Sequence, residues 1–71
     1  MKTPKQGEKY RHYKGNEYTV VCLAVDEATE KRVVVYQDLH AHEKIWVRSL
    51  EMFLEEVEVD GEQRPRFIEI K

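Results

Sequence analysis

The sequence has only one cysteine, Cys22, so no internal disulfide and no multi-cysteine metal site can form. This absence matters because a domain of 71 residues has a small core of limited stability and no covalent cross-link to support it. Cys22 lies in the apolar run 20–25. We expect it to be a buried packing residue rather than a reactive thiol, as suits a reducing compartment.

The chain also lacks the run of about 20 apolar residues that spans a bilayer. Its polar start has no apolar stretch of the kind found in secretory signals, so we expect a cytoplasmic protein with no membrane partner. Hydrophobic residues make up 41% and charged residues 37% of the sequence, a balance that favours a folded globule. Residues 1–7 are predicted to be a flexible tail in which nothing is buried, and residues 8–71 a single barrel-like domain.

Features of enzymes are scarce. The three glycines are scattered, so no glycine-rich phosphate loop is present. Nucleophilic catalysis needs an activated side chain beside a base in a cleft, whereas this chain has one serine, Ser49, and one cysteine. The acidic run 55–62 is typical of solvated surface. We therefore predict no catalytic residues, no bound cofactor and no enzymatic activity.

The formal net charge of -2 argues against generic nucleic-acid binding, which depends on a basic excess. The charges are unevenly spread along the chain, however. Basic residues dominate the start, and acidic residues dominate a later segment: Lys2, Lys5, Lys9, Arg11 and Lys14 against Glu51, Glu55, Glu56, Glu58, Asp60 and Glu62. These are either two solvated faces or a dipolar surface that steers an acidic partner to the basic end.

The first half of the sequence predicts two hairpins. The Gly and Asn of residues 14–16 tolerate a tight turn, which would join a strand around residues 10–13 to the strand 18–25. Residues 18–25 are apolar on both alternating faces, which indicates a central strand covered on both sides or curling around a barrel. A polar turn at 26–31 leads to a further strand at 32–37.

A loop at 38–43 precedes a strand at 44–48, in which Ile45 and Val47 share one face and Trp46 shares the other with its basic neighbours. One face is predicted to lie in the core. Ser49 is predicted to cap a short helical turn whose apolar side chains plug one end of a barrel.

The dipeptide Asp60-Gly61 predicts a hairpin between residues 57–59 and a closing strand at 66–70, with Pro65 at an edge or strand start. Five to six short strands and one short helical turn are typical of a mostly β fold, here a small SH3-like barrel or a rolled antiparallel sheet.

Six spaced motifs carry a family resemblance: YRHYKGN at 10–16, VVY at 34–36, WVR at 46–48, EMF at 51–53, VDG at 59–61 and PRF at 65–67. Together they resemble the bacterial domain-of-unknown-function family 1653, over about residues 7–68. The resemblance implies no activity, substrate or partner, because that family is defined by its sequence pattern. This chain departs from the pattern at residues 26–29, where a histidine-containing stretch is usual, and at Ser49, where proline is usual.

Aromatic and basic residues form the richest constellation in the sequence. Aromatic faces stack bases or cations, and arginine offers a planar fork to phosphate or carboxylate, so a shared surface would bind an anionic or aromatic ligand. The predicted ligand-binding residues are Arg11, Tyr13, Lys14, Trp46, Arg48 and Arg66. The alternative is that these side chains build the core and its internal ion pairs.

Strand alternation refines this candidate surface. It places Tyr10 and His12 on one face of the first strand and Arg11 and Tyr13 on the other. Burial of Tyr10 would leave Arg11 and Tyr13 outward, beside Arg48 if their strands are neighbours.

Three functions follow from these features. The leading hypothesis is a non-catalytic binding module for an anionic or aromatic ligand, with nucleotides and single-stranded nucleic acid among the candidates. The alternative is a protein-interaction or homodimerisation domain that uses exposed aromatic area and an open strand edge. The third, a small metal-dependent enzyme, depends on His40 and His42 with Glu43 or His12 as a further ligand. Their spacing is weak support, so no metal residues are assigned.

Overall fold

The computed structural model describes residues 3–71, and Met1 and Lys2 lie outside the described residues. Within that range the chain forms seven strands and one short helix. They are β1 (Lys9–His12), β2 (Glu17–Val25), β3 (Arg32–Asp38), β4 (Ile45–Ser49), α1 (Leu50–Phe53), β5 (Glu56–Val59), β6 (Glu62–Pro65) and β7 (Phe67–Ile70). The predicted mostly β class is confirmed, with more strands than the five or six expected. None of the described helices is long and apolar enough to cross a membrane.

Five strands form one antiparallel sheet in the order β4-β3-β2-β1-β7, and β5 and β6 form a separate hairpin. Both hairpins predicted in the first half are confirmed. In the first turn Gly15 has φ 110°, a conformation that costs glycine little, and its N–H donates to the carbonyl oxygen of His12 at 2.7 Å. Strands β4 and β7 are the edges of the large sheet.

The predicted partner of the Asp60-Gly61 hairpin was wrong. Asp60 and Gly61 have φ values of 52° and 80°, and Val59 lies directly opposite Glu62. A two-residue turn of this kind requires the returning strand to start at once, so β6 is the partner. The closing strand begins at Phe67 instead of Arg66 and pairs with β1, where Phe67 lies opposite His12.

The core lies between one face of the large sheet and α1. Its buried members are Tyr10, Val20, Val34, Tyr36, Leu50, Phe53 and Phe67. The rings of Phe53 and Phe67 stack with centroids 4.0 Å apart at an angle of 6°. The predicted cap is confirmed, since the Ser49 hydroxyl accepts a hydrogen bond from the Met52 N–H at 3.2 Å.

A bulge in β2 decides which of its side chains reach the core. Val20 lies opposite Tyr36, but Cys22 lies opposite Val35, so Val21 is an extra residue in the ladder. Because the bulge reverses the alternation, Leu23 packs against the core. Cys22 is only half-buried, and the predicted burial of this cysteine was therefore wrong.

The core face predicted for β4 was also wrong. Ile45, Trp46 and Val47 are 57%, 46% and 63% exposed, so neither face of the strand is covered at these positions. The register places Trp46 and Arg48, opposite the buried Tyr36 and Val34, on the core side of the sheet, so Ile45 and Val47 face away from the core.

The segment before β1 contributes to packing. Pro4 is among the fully buried side chains, and the Gly7 N–H donates to the Val20 carbonyl oxygen at 2.9 Å. The expectation that residues 1–7 bury nothing was therefore wrong at Pro4. The flexibility of this segment stays a prediction, and the part formed by Met1 and Lys2 lies outside the described residues.

Candidate functional site

Arg48 lies on β4 and points along the core side of the sheet, since it is paired with the buried Val34 of β3. Its Nε donates to the Tyr36 hydroxyl at 3.4 Å, and its guanidinium carbon lies 5.8 Å from the centroid of the Phe67 ring. Arg48 and Phe67 belong to the two edge strands. The sheet therefore curves enough for side chains from its opposite edges to meet.

Arg66 lies in the bend between β6 and β7, with a side chain only 16% exposed. Its Nη2 donates to Glu55 Oε1 at 2.9 Å, and its backbone N–H donates to the Glu55 carbonyl oxygen at 2.9 Å. Its Nε is buried and has no hydrogen-bond partner within the described chain. Buried donors are almost always paired, so an unpaired one is unusual.

His12 lies close enough to Arg48 and Arg66 for both charges to affect its ionisation. Its half-buried ring packs edge-on against Phe67 with centroids 5.0 Å apart. Burial lowers the pKa of His12 below its ordinary value, and the positive charges of Arg48, Arg66 and Lys14 lower it further. These charges therefore act on a common point. We name His12, Lys14, Arg48 and Arg66 the cationic rim.

The turn after β1 supplies the exposed side of the rim. Tyr13 is 40% exposed, its ring centroid lies 4.5 Å from that of His12, and Lys14 Nζ lies 5.8 Å from its ring centroid. The Tyr13 N–H donates to the Arg66 carbonyl oxygen at 2.9 Å, which ties the turn to the bend between β6 and β7. An aromatic face thus borders the cationic rim.

Carboxylates are sparse around the rim. Glu55 pairs with Arg66, whereas Arg48 and Lys14 have no ion pair with any carboxylate in residues 3–71. The arrangement therefore carries an excess of positive charge at one end of the aromatic core. Such a site is suited to attract and orient an anion.

Two predicted site residues lie away from the rim. Arg11 is on the opposite face of β1, where it donates to Glu17 Oε2 from Nε at 3.1 Å and Nη2 at 2.8 Å. This hydrogen bonding holds the pKa of Glu17 below its ordinary value. Arg11 was placed beside Arg48 only on the condition that their strands are neighbours. That condition is not met, because β2 and β3 separate the two strands. Trp46 shares the core-side face of β4 with Arg48 two residues away, and no contact places it on the rim.

Arg11 and Tyr13 nevertheless line a common depression, together with His12 of the rim. It lies between β1, β7 and the β5–β6 hairpin and has a volume of about 150 Å³. Its lining consists of Arg11, His12, Tyr13, Val59, Arg64, Pro65 and Ile68. Both arginines are engaged by neighbouring carboxylates, Arg11 by Glu17 and Arg64 by Glu62. Their charge is already balanced, so this depression is a weaker anion site than the cationic rim.

The two loop histidines point to different partners. His42 Nε2 lies 3.1 Å from the Leu39 carbonyl oxygen, and His40 Nε2 lies 3.6 Å from Glu17 Oε1. In residues 3–71 no group of three or more His, Cys, Asp or Glu side chains is arranged to hold a metal ion. The small metal-dependent enzyme stays an alternative from the sequence.

The His12 imidazole is expected to titrate below its unfolded value of 6.5. The unfolded chain then takes up the proton at a higher pH than the folded chain. The contribution of His12 to stability is present above the unfolded pKa and is lost as the pH falls through the folded pKa. NMR of the imidazole C2–H from about pH 4 to about pH 8 measures the titration directly. In His12→Gln this part of the pH dependence of unfolding should disappear; a His12 midpoint above 6.5 would contradict the assignment.

Sequence reasoning found Lys14, Arg48 and Arg66 but did not assign His12 or Glu55 to the site. The signal for His12 was the alternation that groups it with Tyr10, on the side of the sheet where Arg48 also lies. Glu55 had no such signal, since its pairing with Arg66 depends on where the β5–β6 hairpin returns the chain.

Comparisons with known proteins agree with the resemblance carried by the motifs. A family model described as a protein of unknown function (DUF1653) matches residues 8–69. A crystal structure of a protein belonging to DUF1653 from Bordetella bronchiseptica is similar, with a TM-score of 0.75 and 37% sequence identity. The similarity covers 89% of this chain and 82% of that one. The search of curated proteins found no match.

Proposed function

The chain belongs to the DUF1653 family of proteins of unknown function, and from that premise we propose that it is a non-catalytic binding module whose cationic rim takes an anionic ligand. The family assigns no activity, so the site itself supports the proposal. The observation that carries it is geometric: Arg48 and His12 both pack on the ring of Phe67, and the Tyr13 N–H ties the turn that holds Lys14 to the Arg66 carbonyl oxygen.

Within residues 3–71 the rim has one paired carboxylate, Glu55, which engages Arg66. Grouping Arg48 and Arg66 near a half-buried histidine is unfavourable, because like charges repel and the surrounding aromatic core excludes water. An anion held between them would remove that repulsion. Arg11 differs from Arg48 because its charge is balanced by an ion pair with Glu17.

The aromatic border narrows the class of ligand. The exposed ring of Tyr13 lies next to His12 and below Lys14, so a planar group attached to the anion would find a stacking surface there. Arginine favours phosphate and carboxylate through its planar fork. Nucleotides and the ends of single-stranded nucleic acid combine both features and are the first ligands to test.

The finer architecture belongs to the same proposal. A sheet rolled in the SH3-like manner is supported by the approach of Arg48 on β4 to Phe67 on β7. The cytoplasmic location and the bacterial origin inferred from the sequence also stay proposals. A rolled sheet would hold the rim at one open end of the aromatic core, where a ligand has access.

Binding to the rim is expected to depend on Arg48 and not on Arg11. Loss of one charge-assisted contact costs about 1.5–3 kcal/mol, which corresponds to a roughly tenfold or larger fall in affinity for Arg48→Gln. Arg11→Gln is the matched control, since Arg11 is also a strand arginine but is paired with Glu17 on the opposite face. Calorimetric titration with inorganic phosphate, nucleoside monophosphates and short oligonucleotides measures the affinities.

NMR provides the independent readout. Ligand binding at the rim should shift the amide signals of His12, Lys14 and Arg66 and raise the pKa of His12, because the added negative charge favours its protonated form. An absence of shifts at the rim for every anion tested would contradict the proposal. Equal losses of affinity in Arg48→Gln and Arg11→Gln would contradict the location of the site.

A further inference from the structure

Strand β4 presents an unusual outer edge. Ile45, Trp46 and Val47 are consecutive and are 57%, 46% and 63% exposed, so large apolar side chains reach solvent on both faces of the same strand. No other strand pairs with this edge within residues 3–71. Proteins usually blunt an exposed strand edge because it templates pairing with another chain.

The outer edge of β4 carries backbone N–H and C=O groups that point away from β3. The Asp38 N–H donates to the Lys44 carbonyl oxygen at 2.9 Å, in the same register that pairs Tyr36 with Trp46. In an antiparallel ladder alternate residues direct their N–H and C=O groups to opposite sides. Trp46 therefore bonds toward β3, while the backbone groups of Ile45 and Val47 point outward. These outward groups have no backbone partner in the described chain.

A second copy of this chain can pair with the β4 edge in a register centred on Trp46 or in one centred on Val47, and the second register fits better. Antiparallel pairing of two β4 strands joins outward-facing backbone groups when either Trp46 or Val47 lies on the two-fold axis. With Trp46 on the axis, Lys44 lies directly opposite Arg48 of the second copy, and this like-charge pairing occurs twice. Like charges directly opposite each other destabilise a sheet.

The register centred on Val47 avoids that opposition. Val47 then lies opposite Val47 of the second copy, and Ile45 lies opposite Ser49. Trp46 lies opposite Arg48, so the indole ring of each copy covers an arginine of the other. This register therefore pairs the outward backbone groups, brings exposed apolar side chains together and places an aromatic residue opposite a basic one.

We propose that the chain forms a two-fold symmetric dimer through β4, with Val47 opposite Val47 and Trp46 against Arg48 of the second copy. The two five-stranded sheets become continuous across the axis. Arg48 belongs both to this contact and to the cationic rim. The dimer is therefore tested with Val47→Lys, which leaves all four residues of the rim unchanged, so failure of the dimer and failure of the anion site give different results.

Sedimentation equilibrium of the full 71-residue chain tests the dimer. We expect the mass to rise from monomer to dimer with a dissociation constant of roughly 10 µM to 1 mM, as suits an interface at the small end of the usual range. Val47→Lys places two like charges on the axis and should leave a monomer at every concentration. Val25→Lys is the matched control, because Val25 and Val47 are both 63% exposed valines on strands, and it should dimerise like the unaltered chain.

Isotope-filtered NOEs in a mixture of labelled and unlabelled protein identify the register. Contacts between the copies from Trp46 to Arg48, and from Val47 to Val47, are expected. A monomer throughout the concentration range, unchanged dimerisation of Val47→Lys, or NOEs from a different strand would each overturn the proposal. Both valines are exposed, so folding of the variants is checked by their amide spectra; dilution shifts of the unaltered chain at β4 provide the test without any substitution.

Discussion

Phe53→Ala is expected to remove about 3–5 kcal/mol from the free energy of unfolding, as is usual for truncating a buried phenylalanine. Phe53 is 2% exposed and lies at the centre of the aromatic core. Its ring stacks on Phe67 at 4.0 Å and meets Tyr10 and Tyr36 edge-on at 5.3 and 5.6 Å. A domain of this size has about 3–5 kcal/mol of net stability, so most molecules of the variant should be unfolded at 25 °C.

Circular dichroism during urea unfolding measures this loss. Met52→Ala is the matched control, since Met52 precedes Phe53 in the same helical turn but is 45% exposed. We expect its effect to stay within about 0.5 kcal/mol. A cooperative transition for Phe53→Ala close to that of the unaltered chain would show that the other rings hold the core without it.

Pro4→Gly is expected to cost roughly 2–3 kcal/mol. Two terms contribute: the buried ring of Pro4 is lost, and the glycine gives the unfolded chain more conformational freedom. The segment is also tied to β2 by the hydrogen bond from the Gly7 N–H to Val20. A loss of this size would show that residues 3–7 are part of the folded domain and not a flexible tail.

Gln6→Gly separates the two terms. Gln6 is exposed and lies in the same segment, so its replacement adds backbone freedom without removing a buried group. Its cost should remain below about 1 kcal/mol. Thermal unfolding of both variants by calorimetry provides the comparison, and equal losses for Pro4→Gly and Gln6→Gly would show that burial of Pro4 contributes little.

Turns and caps were predictable from the sequence because their chemistry is local. Gly15 and Gly61 adopt positive φ values in the two turns where the sequence placed them, and Ser49 caps α1 as its side chain and position indicated. The partners of strands were less accessible. The pairing of β7 with β1 depends on the whole path of the chain, and no local signal distinguishes it from a hairpin with β5.

The same division applies to the candidate site. Alternation correctly placed His12 on the side of Tyr10 and Arg11 on the other side, because the period of two is fixed by the strand itself. It did not place Arg48, whose distance from β1 depends on the sheet order and whose approach to Phe67 depends on sheet curvature. The bulge at Val21 was likewise not predictable, because no glycine or proline lies near it in the sequence.

The position of β1 between β2 and β7 has a consequence for the folding pathway. Because β1 pairs with both an early and a late strand, the aromatic core closes only when segments far apart in sequence meet, as in the contact between His12 and Phe67. Such a topology has a high contact order, and folding should be slower than for a helical domain of equal length. A growing polypeptide on the ribosome would expose Tyr10, Tyr36 and Phe53 to chaperones until Phe67 had been synthesised and had left the exit tunnel.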